Sequence, residues 1–282
     1  MNDGEQTARV QQLVYRPYQG PLESLGGRFR VVAAHQLRLS LKDRWFRRLL
    51  LGSFFPLGVF AVIVVVQSRI SQALGRVLDL WQPFWGIQLF FALALTYLCG
   101  RASIGEDLRT GAATVYFTRP LTRAGYLWGK WLGVALPVMV VTLGPALLLA
   151  TFRLLVEPAA TAALFLRWLA AAALASLLVA ATMGWVMLGL SALTRRARAA
   201  GFLWIGVVVG GSALAGGLAE TLDDSLWRAL SFTEGSAHLF SFLAEGRVGW
   251  AEGAMGAVGM VAWALLGWMV LRLRLAAARD WE

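Results

Sequence analysis

The chain has 282 residues, 58% of them hydrophobic and 15% charged, with a formal net charge of +10. Soluble domains hold about 45–50% apolar and about 25% charged residues. This composition excludes an ordinary soluble enzyme and leaves little chain for a second, water-soluble domain.

Residues 1–27 contain Pro17, Gly20, Pro21, Gly26 and Gly27 and mix both signs of charge around no apolar centre. They read as a cytoplasmic N-terminal arm rather than a secretory signal peptide. Residues 28–282 read as one transmembrane domain. In its opening segment, 28–48, Phe29, Ala33, Leu37, Leu41 and Trp45 recur at i, i+4, flanked by Val32 and Phe46. Arg30, Arg38, Lys42, Arg44, Arg47 and Arg48 supply a basic remainder. Such a helix lies in the membrane interface, apolar side down, as an elbow before the first span. The plainer alternative is a solvated basic flank.

Six runs free of Asp, Glu, Lys and Arg follow, at 49–66, 80–100, 131–152, 168–194, 199–219 and 253–271. A hydrocarbon core roughly 30 Å thick needs about 20 apolar helical residues at 1.5 Å of rise each. One such run fits a buried helix of a soluble protein; six fit an all-α, polytopic membrane protein. Segments 1–48, 101–130, 195–198 and 272–282 hold 20 Lys or Arg against 8 Asp or Glu, a net of +12. Segments 67–79, 153–167 and 220–252 hold 6 against 8, a net of −2. Lys and Arg are retained on the cytoplasmic side during insertion. Both termini are therefore expected in the cytoplasm, with the chain in a bacterial-type cytoplasmic (inner) membrane. The basic excess then reports orientation and attraction to membrane lipid, not nucleic-acid binding.

Pro56 in the first run, and Pro137 and Pro145 in the third, remove backbone donors and predict kinks. The fourth run is longer than one crossing requires, which predicts tilt or projection from the bilayer. Runs four and five are joined only by residues 195–198, with Arg195, Arg196 and Arg198, and must form an antiparallel hairpin. In the fifth run Gly206 and Gly210 have the G-x-x-x-G spacing that lets two helix backbones approach. A dimer seam and packing within one chain explain it equally. Segment 220–252 carries Leu222, Leu226, Trp227, Leu230, Phe232, Leu239, Phe240, Phe242 and Leu243, too many apolar residues for a free loop. It predicts short helices resting on or dipping into the outer leaflet.

The residues of catalysis are missing from any useful arrangement. His35 and His238 stand on opposite sides of the predicted membrane and cannot share a metal. Glu106–Asp107 and Asp223–Asp224 are adjacent pairs, and neighbours on a helix point in different directions. The lone Cys99 forms no intramolecular disulfide. The nearest approach to a phosphate loop, from Gly125 to Gly129-Lys130-Trp131, has one residue too few between its glycines, and Trp131 in place of the hydroxyl that holds magnesium. No catalytic, metal or cofactor-binding residue is assigned, and ATP would have to be bound by another polypeptide. The spans also lack the ionisable residues by which secondary transporters bind a coupling ion. An ion- or proton-coupled transporter and a non-transporting membrane scaffold remain the alternative readings.

The connection 101–130 is the most informative stretch. Residues 104–116 suit a short amphipathic helix with Glu106 and Asp107 near its N-terminal end, where the helix dipole favours anions. Thr118-Arg119-Pro120 breaks it, and Arg123 and Lys130 bracket the return to the membrane. This arrangement resembles the permease subunits of exporter-type ABC transporters, the ABC-2 class. In that class an acidic residue precedes a Gly-Thr-like turn, an apolar stretch, a Pro–x–Ser/Thr–Arg motif and a Gly-Lys opening the third span. Glu106 and Asp107, Gly111, Thr118-Arg119-Pro120, Thr122-Arg123 and Gly129-Lys130 occupy those places. The departure is at the turn, where Thr110 precedes Gly111 and Ala112-Ala113 follow it.

The resemblance implies a homodimer or heterodimer of permease chains around a central pathway, each docked on a separate ABC ATPase subunit. It implies an N-terminal elbow helix and outer-leaflet helices between spans five and six. It also implies a cytoplasmic coupling helix at about 103–111, in which Ser103, Ile104, Glu106, Asp107, Leu108, Arg109 and Gly111 couple to the ATPase. Arg119, Pro120, Arg123, Gly129 and Lys130 form the loop motif, and the first, second and fifth spans line the pathway and seam. The alternative for Glu106, Asp107 and Arg109 is an ordinary solvated loop.

Overall fold

The computed structural model describes residues 27–74, 80–112, 122–157, 160–194, 196–246 and 248–277, and among these it contains helices and no strand. The helices are α1 (Arg28–Lys42), α2 (Arg44–Gly52), α3 (Phe55–Leu74), α4 (Trp81–Gly100), α5 (Ser103–Thr110), α6 (Arg123–Val156), α7 (Ala162–Leu193) and α8 (Ala197–Thr221). A 3₁₀ turn at Ser225–Leu230, α9 (Phe232–Glu245) and α10 (Trp250–Ala277) complete the order. Six stretches are long and apolar enough to cross a membrane: Arg44–Arg69, Trp81–Thr110, Arg123–Val156, Ala162–Leu193, Ala197–Thr221 and Trp250–Arg274. The six runs read from the sequence fall inside them, save that Leu80 and Thr194 each stand one residue outside the second and fourth. The N-terminal arm, apart from Gly27, lies outside the described residues.

The expected elbow is two helices. Asp43 is extended, and its carboxylate accepts a hydrogen bond from the Trp45 backbone N–H at 2.8 Å, capping α2. The break takes Trp45 off the apolar row of α1, and Leu41 and Trp45 are exposed. Val32 and Ala33, both on the expected apolar face, are buried together with Gln36 against α6. The first span is interrupted as well. Helix stops at Gly52 and resumes at Phe55, so Pro56 stands in the first turn of α3, where a missing N–H costs little. The Ser53 carbonyl at the break accepts from Gln88 Nε2 at 3.1 Å. α6 continues as one helix through Pro137 and Pro145.

The core is built around α7, which packs on α6 and α10. α7 and α10 touch backbone to backbone at Gly189 and Gly267: a Cβ on Gly189 would stand 2.6 Å from the Gly267 carbonyl oxygen. Small residues at such crossings let helices gain dispersion contacts that lipid cannot outcompete. α9 is wedged into the bundle rather than laid over it. Phe240 is fully buried, stacked on Trp85 at 4.2 Å between centroids and edge-on to Trp81 at 5.4 Å. Ser231 caps α9 by accepting from the Glu234 N–H at 3.1 Å, and Gly246, at φ 67°, ends it. The third span is the most enclosed by its own chain, and the first and fifth are the least.

Candidate functional site

α5 is short and has no capping side chain of its own. Its first-turn donors are taken up from another helix. The Ser191 hydroxyl of α7 accepts from the N–H of Ile104 at 3.2 Å and of Gly105 at 3.1 Å, and lies 3.4 Å from the Arg101 carbonyl oxygen. Ile104 and Ser103 are buried, and Leu108 packs against the core. Gly105 permits the approach: a Cβ there would lie 2.4 Å from the Thr194 carbonyl oxygen and 2.6 Å from that of Ser191. Gly111, at φ 72°, ends the helix in the left-handed conformation glycine tolerates. The helix expected to continue to residue 116 is therefore interrupted at 111. Arg119 and Pro120 lie outside the described residues.

A buried polar network fixes α5 from the other side. Lys130 of α6, 4% exposed, pairs with Asp107 at 2.7 Å and donates to the Ser103 carbonyl at 3.0 Å. Tyr126 donates its hydroxyl to the same Asp107 oxygen at 2.6 Å. Gln36 of α1 accepts from Lys130 at 3.4 Å and donates to the Cys99 carbonyl at 2.8 Å, joining α1, α4 and α6. Gly129 holds α1 close, since a Cβ would stand 2.7 Å from the Phe29 carbonyl oxygen. Gly129-Lys130 thus has two separate tasks: the glycine seats α1, and the lysine seats α5. Thr122 caps α6 by accepting from Gly125 N–H at 3.0 Å, and Arg123 follows as its first residue.

The outer surface of α5 is different. Glu106 and Arg109 form an exposed, two-pronged ion pair, with Arg109 Nε donating to Glu106 Oε2 at 3.2 Å. The Arg109 guanidinium holds the Glu106 carboxyl below its ordinary range. Arg109, Thr110 and Gly111 are exposed beside them. Of the residues assigned to coupling, then, Ser103, Ile104 and Asp107 attach the helix, and Glu106, Arg109 and Gly111 face away from the bundle. Ser191, Gln36 and Tyr126 carried no signal in the sequence, because serines are common in apolar runs and glutamines among basic residues. Gly206 and Gly210 lie far from this site on α8; a Cβ on either would meet nothing within 4 Å.

The chain matches the family model described as ABC-2 family transporter protein over residues 30–223, well over half its length. It belongs to that family. The match runs from α1 past the end of α8 and includes the whole loop that carries α5, while α9 and α10 lie beyond it. No curated protein matches the chain at a significant level. Membership makes the protein an integral membrane component of an ABC transporter, a permease rather than the nucleotide-binding partner. Among the described residues no three His, Cys, Asp or Glu side chains cluster as a metal ion would require.

Proposed function

We propose that this permease is the pathway-forming subunit of an ATP-driven exporter in the cytoplasmic membrane, with both termini in the cytoplasm. A separate ATPase drives it by pushing on α5. The observation that carries this reading is the two-sided build of α5: its inner side is clamped to α6 and α7, and its outer side offers a charged, solvated edge. A lever needs both. A helix merely solvated beside the bundle would need neither a buried lysine nor a serine borrowed from α7. Force applied at Glu106 and Arg109 passes through Asp107–Lys130 into α6 and through Ser191 into α7, the two helices at the centre of the core.

The functional unit is a pair of permease chains. The least enclosed spans, the first and fifth, supply exposed apolar faces, and Gly206 and Gly210 present an unobstructed strip on one of them. The deciding experiment purifies the tagged full chain from its native membrane and assays the eluate for ATP hydrolysis. A co-purifying ATPase whose turnover falls when Glu106→Arg is introduced supports the reading. Hydrolysis and transport that survive removal of residues 103–111 would end it.

A further inference from the structure

Proline does not by itself stop a helix in this chain, because α6 runs unbroken through Pro137 and Pro145. The break in the first span at 52–55 therefore needs more than Pro56. In one continuous helix the Phe54 N–H would bond the Leu50 carbonyl, and the Leu57 N–H the Ser53 carbonyl. Both donors are instead drawn one residue short, Phe54 N–H to the Leu51 carbonyl at 3.1 Å and Leu57 N–H to the Phe54 carbonyl at 3.2 Å. Each carbonyl released in this way is taken by a side chain. Ser53 donates its hydroxyl to the Leu50 carbonyl at 2.8 Å, and Gln88 of α4 donates Nε2 to the Ser53 carbonyl at 3.1 Å. Ser53 and Gln88 are both fully buried. Gln88 Oε1 has no hydrogen-bond partner among the described residues, so this buried amide is committed to the break alone.

We infer that the first span is a two-state hinge, in which Ser53 and Gln88 hold the broken form by occupying the two carbonyls that a continuous helix needs. The exchange keeps the backbone bonded throughout: two N–H groups each move by one carbonyl, and only the two side chains lose a partner. The pieces on either side of the break have different attachments. Below it, Gln36 ties α1 to the Cys99 carbonyl of α4 and to Lys130 of α6, and Phe46 buries α2. Above it, α3 packs chiefly on α6, with the Phe54 ring against Gly144 and Phe60 edge-on to Phe84 of α4 at 5.2 Å. Between 55 and 69 it buries only Pro56, Phe60, Val64 and Gln67, one side chain per turn. Straightening the break therefore swings α3 away from α6 and leaves α2 in place. Val66 stands twelve residues beyond Phe54, about 18 Å of lever, so a change of about 20° at the break displaces it by roughly 6 Å. The inference rests on membrane insertion and not on coupling to an ATPase.

The test places spin labels at Val66→Cys on α3 and Leu155→Cys at the far end of α6, both exposed, in the full chain carrying Cys99→Ala. The protein is reconstituted in lipid nanodiscs and diluted with unlabelled chain, so that electron paramagnetic resonance reads separations within one chain. With Ser53 and Gln88 intact, a short separation should dominate. Gln88→Met keeps the side-chain volume and removes the donor. Together with Ser53→Ala it should raise the longer-distance population at least about fivefold, as the loss of two buried hydrogen bonds requires. Ser53→Thr keeps the hydroxyl and should leave the distribution as it was. Where the double variant fails to fold, Ser53→Ala alone should shift the populations the same way, and Pro56→Ala added to it should shift them further. Identical distributions with and without these two side chains overturn the proposal, because packing alone would then hold the break. So does a shift in Ser53→Thr equal to that in Ser53→Ala, which would show that the hydroxyl's bond is not what holds it.

Discussion

Asp107 of α5 and Lys130 of α6 meet at 2.7 Å with their side chains 15% and 6% exposed, so the ion pair lies beneath the surface. Removing one partner of such a pair leaves the other charge buried and uncompensated, which costs about 3–5 kcal/mol. Lys130→Met should therefore lower the unfolding temperature of the purified chain and, under the proposed coupling, abolish permease-stimulated ATP hydrolysis. Combining it with Asp107→Asn removes both charges. The double variant should regain at least about 1 kcal/mol over the additive expectation, since contacting residues couple by about 0.5–3 kcal/mol. A double-mutant cycle on thermal unfolding reads this directly; strict additivity would show that the pair does not clamp α5.

Glu106 gives the opposite expectation. It is exposed and paired only with Arg109 among the ionic contacts of the described residues, so Glu106→Arg should leave stability within about 0.5 kcal/mol. Under the proposed coupling its effect belongs to the partner surface: co-purification of the ATPase should weaken, and Arg109→Glu introduced alongside should restore part of it. The pH dependence has a definite sign. Arg109 lowers the Glu106 pKa, so the pair is present above the carboxyl's ordinary range and is lost only as pH falls through the lowered value. ATPase association should show no Glu106-dependent step across the neutral range, as a pH series on the unaltered chain and on Glu106→Gln will reveal.

The layout of the bundle was legible because six charge-free runs of bilayer length do not occur together in a soluble chain of this size, and lipid leaves only helices as spanning elements for such runs. Gly129-Lys130 was legible as a motif but not as a mechanism; its meaning needs α1 and α5 in place at once. The break at Asp43 could have been read, since Asp followed by a new apolar stretch is an N-cap signature, but the i, i+4 row running on to Trp45 concealed it. Ser191 could not, because its role depends on a contact between residues far apart in the chain. Gly189 and Gly267 show the same limit: neither has a glycine four residues away, and the close crossing appears only when two helices are laid together.

Gly105→Ala tests the seat on α7. The added methyl would stand 2.4 Å and 2.6 Å from two backbone carbonyl oxygens, so α5 must move or α7 must deform. Overpacking of this kind costs about 1–3 kcal/mol. At Gly111 the same change meets open space, and the cost is confined to the left-handed backbone, roughly 1–2 kcal/mol. Hydrogen exchange of the Ile104 and Gly105 amides should accelerate in Gly105→Ala and stay protected in Gly111→Ala. Equal acceleration in both would show that the helix end, not the crossing, governs docking.

Arg153 is the counterpart of Lys130 at the far end of α6, about 35 Å along at 1.5 Å per residue. It is 4% exposed, bidentate to Glu157 at 2.8 and 3.1 Å, and reaches Glu245 of α9 at 3.4 Å. Its guanidinium also stacks over Trp168 at 4.4 Å and Trp81 at 5.3 Å. Arg153→Met should cost about 3–5 kcal/mol and release α9, because two carboxylates lose their cation. Arg153→Lys should recover only part of this, as an ammonium can neither fork to Glu157 nor stack flat on two indoles. Limited proteolysis and hydrogen exchange within 232–245 measure the release; protection in Arg153→Lys equal to that of the unaltered chain would show that charge alone is sufficient.

Gly206 and Gly210 complete the set, because their substitution separates assembly from folding. An added side chain meets nothing within its own chain, so Gly206→Leu with Gly210→Leu should keep or slightly raise helix stability, leucine being the better helix former by up to about 1 kcal/mol per site. If the strip is the seam between permease chains, the same change holds the two backbones apart and should reduce the dimer fraction at least about tenfold, or roughly 1.4 kcal/mol. Light scattering on the purified protein gives the mass, and cross-linking in native membranes guards against detergent dissociation. A dimer that persists unchanged in both measurements places the seam elsewhere, with the exposed face of α3 around Val59 and Val62 as the next surface to alter.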